Sequence, residues 1–158
     1  MNEIETKMMR RAIELARNGM DSGEGGPFGC VVARGDEIIA EGNNRVTSTN
    51  DPTAHAEVVA IREACKVLNS FQLDGCTLYT SCEPCPMCLG AIYWARPDKV
   101  YFACNRDDAA EAGFDDSLIY EELAIPNEQR QRAMISLLRD EGVALFKDWI
   151  AKPDKIEY

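Results

Sequence analysis

The 158-residue sequence contains a single histidine, His55. It has no long hydrophobic run. The longest, residues 89–95, counts seven with Gly90 included, against about 20 needed to span a bilayer. The opening MNEIETKMMRR has no apolar segment of the kind a secretory leader carries. Basic residues are in deficit, with 17 Lys and Arg against 27 Asp and Glu and a net charge of −10. A polyanionic partner such as DNA or RNA normally asks for the opposite sign. There is no internal repeat, low-complexity tract or linker. What is there reads as one globular domain spanning residues 1–158, at 46% hydrophobic and 28% charged. A chain of this length buries enough surface to fold without a disulfide or metal. Its seven cysteines are an odd number, which excludes complete internal pairing. The expectation is a soluble, cytoplasmic chain whose reduced thiols serve a metal, catalysis or the core.

Hydrophobic spacing predicts an amphipathic helix over residues 3–20, with Ile4, Met8, Ala12, Leu15 and Ala16 on one face. The glycine-rich stretch 23–29 ends it. Two short apolar runs, 30–33 and 38–40, flank Gly35-Asp36 and read as a β-hairpin. Asp51-Pro52-Thr53 reads as the opening of a second helix, with Val58, Ile61, Cys65 and Leu68 on its buried face. A strand at 77–80, a helix from Pro84 or Pro86 to about Ala95, and a strand at 99–104 form a βαβ unit, which implies parallel pairing. Residues 105–128 carry eight acids and one base and read as irregular with short helical turns. Residues 134–138 read as strand or helix, 142–151 as a helix, and 152–158 as a tail. The sum is α/β, a mixed sheet of about five strands with helices on both faces.

The strongest chemical signal is His55-Ala56-Glu57 followed by Pro84-Cys85-Pro86-Met87-Cys88. Each segment begins a predicted helix. Cys85 and Cys88, three apart, share one helical face, and a helix N-terminus favours thiolate, the form that binds metal. One imidazole and two thiolates give three zinc ligands. A structural zinc takes four, whereas a catalytic zinc keeps a position open. Zinc brings the pKa of water to about 7, and a carboxylate outside the ligand set must then move protons. Glu57 is placed for that. The H-x-E and P-C-x-x-C pair is the signature of zinc-dependent base deaminases. Cys82 extends the run to C-x2-C-x2-C. A cluster motif would want a further cysteine at position 92, which is Ile. Cys82 is read as lining the strand end below the metal, with a role as fourth structural ligand as the alternative. Cys30, Cys65, Cys76 and Cys104 read as core.

On these residues the chain resembles the bacterial guanine deaminases of the cytidine deaminase fold. The resemblance covers nearly the whole chain. Its most specific stretches are residues 25–29, 50–57, 79–96 and 109–116, and Ala110-Glu111-Ala112-Gly113-Phe114-Asp115-Asp116 with Tyr158 points to the guanine branch. The resemblance implies a three-layer α/β/α fold and one zinc per subunit on His55, Cys85 and Cys88, with Glu57 shuttling protons. It implies that Asn44 hydrogen-bonds the purine, that Phe28 and Trp94 sandwich it, and that Asp116 or Asp115 binds its donor edge. It further implies a homodimer that exchanges C-terminal segments, so that Tyr158 closes the partner's pocket. The expected reaction is hydrolysis of guanine to xanthine and ammonia.

Two other readings share these residues. A tRNA adenosine deaminase has the same zinc site but wants a basic track, where this chain has an acidic one at 105–128. A non-enzymatic zinc module would need Cys82 to close a four-ligand site.

Overall fold

The computed structural model describes residues 2–158. They divide into two compact units, the first running to Asp116 and the second covering Ser117–Tyr158.

The first unit opens with α1 (Glu3–Asp21), started by a capping box. The Asn2 side chain accepts from the Glu5 amide, and the Glu5 carboxylate accepts from the Asn2 amide, both at 2.8 Å. Then come β1 (Gly29–Arg34), β2 (Glu37–Asn43), the single turn α2 (Val46–Thr49), α3 (Ala56–Leu68), β3 (Thr77–Cys82), α4 (Pro86–Ala95), β4 (Lys99–Cys104) and α5 (Arg106–Glu111). The sheet order is β2-β1-β3-β4. β1 pairs antiparallel with β2 and with β3, and β3 pairs parallel with β4 across the α4 crossover. Among the described residues the sheet has four strands, not about five. Residues 134–138, one source of a further strand, form no ladder.

Strand alternation divides the core between two layers. Cys30, Val32 and Leu78 face Ala56, Ala60 and Ala64 of α3 and Ile92 and Ala95 of α4. Val31, Ala33 and Tyr79 face Met8 and Ala12 of α1. Tyr101 stacks on Tyr79 at 5.3 Å and donates from its hydroxyl to Glu5 at 2.8 Å. Arg11 of α1 grips Glu41 of β2 through two bonds of 2.6 and 2.9 Å. Two glycines let helices approach the sheet. A Cβ on Gly29 would meet the Ala12 carbonyl of α1 at 2.1 Å, and one on Gly42 would meet the Ala56 carbonyl of α3 at 2.5 Å.

That close approach explains the face of α3. The fully buried positions are Ala56, Glu57, Val59, Ala60 and Ala64, mostly small, while the expected Val58, Ile61, Cys65 and Leu68 lie partly buried beside them. The helix also begins later than Asp51. The Asp51 carboxylate accepts from the Thr53 amide at 2.8 Å and its carbonyl from the Ala54 amide at 3.1 Å, which closes a turn instead of capping a helix. Expected core residue Cys104 is exposed because β4 is the sheet edge, while Cys65 is half-buried. Ile4, expected on the buried face of α1, is also exposed.

The second unit holds α6 (Ser117–Leu123), a 3-10 turn at Asn127–Gln129 and α7 (Arg139–Ala151). Arg130 donates to the Glu122 carbonyl at 2.8 Å, and the Glu122 carboxylate accepts from the Gln131 amide at 2.9 Å. Residues 134–138 are neither strand nor helix. Leu137, Leu145, Phe146 and Ile150 are largely exposed, and Trp149 much less so, at 39%. Among the described residues no helix is long and apolar enough to cross a membrane.

Candidate metal centre

His55 and Cys85 occupy equivalent places, the N-caps of α3 and α4. Both have extended backbones, and their carbonyls accept the first helical bonds, from Val59 at 2.9 Å and Leu89 at 2.8 Å. An N-cap usually carries Ser, Thr, Asp or Asn, whose side chain turns back onto the helix. Neither His55 nor Cys85 does so. Their side chains meet each other instead. Cys85 Sγ and Cys88 Sγ each lie 3.5 Å from His55 Nδ1, and the three ligand atoms fall within 4.8 Å of one another. Pro86 follows Cys85 at the first helical position, where its missing N–H is no loss. Cys88 then returns one turn later, fully buried.

The electrostatics of the cluster ask for a cation. Cys85 is drawn down to about 4, chiefly by the hydrogen bond from Cys88 and then by His55, against the cost of burial. The same bond, with burial, drives Cys88 strongly upward. Of the two adjacent thiols, Cys85 therefore ionises far more readily than Cys88. His55 is raised, first by its bond to Cys85. One imidazole and two sulfurs form the soft donor set that zinc prefers, so the residues present fit that ion. Cys82 stands outside the group. Its thiol donates to the Asn105 carbonyl at 3.8 Å, and burial raises it to about 11.

Glu57, in the first turn of α3, is 6% exposed. Its Oε2 lies 3.4 Å from Cys88 Sγ, and its Oε1 accepts from Thr80 Oγ1 at 2.9 Å. Burial raises its pKa, opposed by those bonds. A carboxylate that is costly to ionise, placed against the cluster but outside it, can take and return protons. Thr80 escaped the sequence reading. The signal was a hydroxyl residue on the core-facing side of β3, two residues after Leu78.

The remaining candidates occupy different settings. Asn44 is buried just beyond β2, and its Oδ1 accepts from the Gly26 amide at 3.3 Å and the Val46 amide at 3.1 Å. Phe28 is half-buried, with Phe114 edge-on to it at 4.9 Å. Asp116 is partly buried and raised, first by burial and then by nearby Cys85, while Asp115 is exposed. Trp94 is 64% exposed on α4. Tyr158 is exposed in the second unit.

A family model for the cytidine and deoxycytidylate deaminase zinc-binding region matches residues 2–104. The chain is 57% identical over 150 residues to the guanine deaminase of Bacillus subtilis strain 168, covering 95% of this chain and 96% of that protein. The X-ray structure of guanine deaminase from Bacillus subtilis superposes with a TM-score of 0.95 at 55% identity, over 100% of this chain and 99% of the other. The tRNA-specific adenosine deaminase of Aquifex aeolicus is 42% identical over 95 residues, which is 60% of this chain and 62% of that one.

Proposed function

The chain belongs to the cytidine and deoxycytidylate deaminase zinc-binding family, and we propose that within it the protein is a guanine deaminase, converting guanine and water to xanthine and ammonia. One observation carries the choice of substrate. Similarity to a guanine deaminase runs through 95% of the chain, whereas similarity to a tRNA-specific adenosine deaminase takes in 60%.

His55, Cys85 and Cys88 would hold one zinc ion, whose Lewis acidity makes water nucleophilic near neutral pH. Glu57 accepts the proton of the attacking water through Oε2, the oxygen on the ligand side. It delivers that proton to the ring nitrogen beside C2, takes a second from the new C2 hydroxyl, and passes it to the amino group as the C2–N bond breaks and the C2 carbonyl forms. General acid–base catalysis of this kind contributes about 10²–10⁴-fold. Asn44 Oδ1 is held by two backbone donors, so Nδ2 is left to donate to an acceptor on the purine. Asp116 accepts from the donor edge of guanine, with Asp115 beside it. Phe28, braced by Phe114, and Trp94 contact the ring faces.

The acidic stretch at 105–128 supports a neutral free base over a polyanion. Seven free thiols support a reducing, cytoplasmic setting. The exposed apolar side chains of α7, and Phe102 and Tyr93 of the first unit, support a homodimer with exchanged C-terminal segments in which Tyr158 reaches the partner's pocket. A structural zinc module is disfavoured by Cys82, which is bonded to Asn105 and absent from the cluster.

Ammonia release from guanine, guanosine, adenine, cytosine and cytidine tests the reading. Guanine is expected to turn over fastest. Activity on cytidine with none on guanine would overturn it.

A further inference from the structure

We propose that Thr80 is a positioning residue for the deamination, holding one oxygen of Glu57 so that the other faces the metal ligands.

Alternation along β3 puts Thr80 on the same side as Leu78, which packs under α3 and α4. A valine would fill that place with nearly the same shape. The threonine hydroxyl is therefore an added polar group, in a residue only 1% exposed. Burying a hydroxyl without a partner is costly. Its partner is Glu57 Oε1, at 2.9 Å across 23 residues of sequence.

The two oxygens of Glu57 are thereby distinguished. Oε1 is tied to the central strand β3, and Oε2 lies 3.4 Å from Cys88 Sγ. An ionised carboxylate only accepts hydrogen bonds, whereas a hydroxyl both donates and accepts. Thr80 thus donates to Oε1 when Glu57 is ionised, and goes on donating to it when the proton sits on Oε2. The bond persists through the proton transfers assigned to Glu57, and Oε2 keeps its aim. Thr80 touches neither metal ligand nor substrate in this scheme. It acts through Glu57.

This rests on the guanine deaminase reading, and the experiment separates the two. Thr80→Val removes the hydroxyl at constant shape, and Thr80→Ser keeps it. Both are assayed beside the wild type on the same five compounds, with zinc content and thermal midpoint measured on each. Thr80→Val is expected to lower kcat by about 10–100-fold, with KM within about threefold and zinc content unchanged, and Thr80→Ser to recover most of kcat. In the Glu57→Gln background the valine change should have no further effect on residual turnover, because the two residues act as one unit. Wild-type kcat in Thr80→Val, or equal loss in the serine and valine variants, would overturn the role. Loss of zinc in Thr80→Val together with equal loss in Thr80→Ser would mark it as structural and overturn it as well. If the wild type deaminates another base and not guanine, the function assignment fails while the Thr80 comparison is read on that base. If it deaminates none, both fall.

Discussion

At the scale of the residue, Glu57 carries the sharpest expectation. Glu57→Gln preserves shape and most hydrogen bonding but cannot take a proton. It should retain zinc by elemental analysis and lose turnover by about 10²-fold or more. Retained turnover would remove Glu57 from the mechanism. Cys88→Ser makes the opposite split. It leaves the carboxylate in place and removes a ligand, so zinc itself should be lost. These residues were legible because their chemistry is packed into two short motifs at predicted helix starts. Thr80 was not, because its partner lies 23 residues away and only the fold brings them together. Cys104 was misread for a related reason. Its neighbours Phe102 and Ala103 look like core, but burial depends on whether another strand lies beyond β4, and local sequence does not record that.

At the scale of the element, the helices and strands follow from periodicity, and the departures follow from contacts. The βαβ unit of β3, α4 and β4 follows the expected order, with α4 starting at Pro86 and β3 running two residues past the expected 77–80. The start of α3 departs from expectation, because Asp51 spends its carboxylate on a local turn. The face of α3 is chosen by Gly42, which admits the helix backbone so closely that only small side chains fit between. Gly42→Ala should push against the Ala56 carbonyl, between His55 and Glu57. The expected outcome is a loss of stability of about 1–3 kcal/mol in chemical denaturation, together with a fall in kcat larger than unfolding explains.

A second element-level expectation concerns Arg11 and Glu41, which fasten α1 to β2. The Arg11 hydrogen bonds hold Glu41 below the usual carboxylate range, against burial. A group with a depressed folded pKa gives stability above its unfolded pKa, near 4.5, and loses it as pH falls through the folded value. Glu41→Gln should therefore melt earlier than wild type at pH 7, by about 1 kcal/mol or less given its partial exposure. The gap should close as the pH is lowered past 4.5 and through the folded value.

At the scale of the whole molecule, the core is expected to hold without the metal. Two apolar layers pack the sheet from both sides, so chelation should leave the far-ultraviolet dichroism native-like. The thermal midpoint should still fall, because an ion bound to the folded state alone stabilises it by mass action. Unfolding on chelation at ambient temperature would show that the metal builds the fold. The overall α/β class was legible in the sequence because the strands and the crossover are local. Residues 134–138 were not, because they lack a period of either kind. Light scattering tests the proposed dimer, which should weigh twice the single chain.

The location of the groups assigned to catalysis and its positioning bears on how such a protein can change. His55, Glu57, Thr80, Cys85 and Cys88 all lie between residues 55 and 88, on β3 and at the starts of two helices. The acid assigned to the donor edge of the base, Asp116, comes after the last strand. Insertions, losses and drift beyond β4 can therefore alter what is recognised while leaving untouched how the bond is broken. Over evolutionary time such an arrangement lets one inherited reaction be carried to new substrates by rewriting the end of the chain.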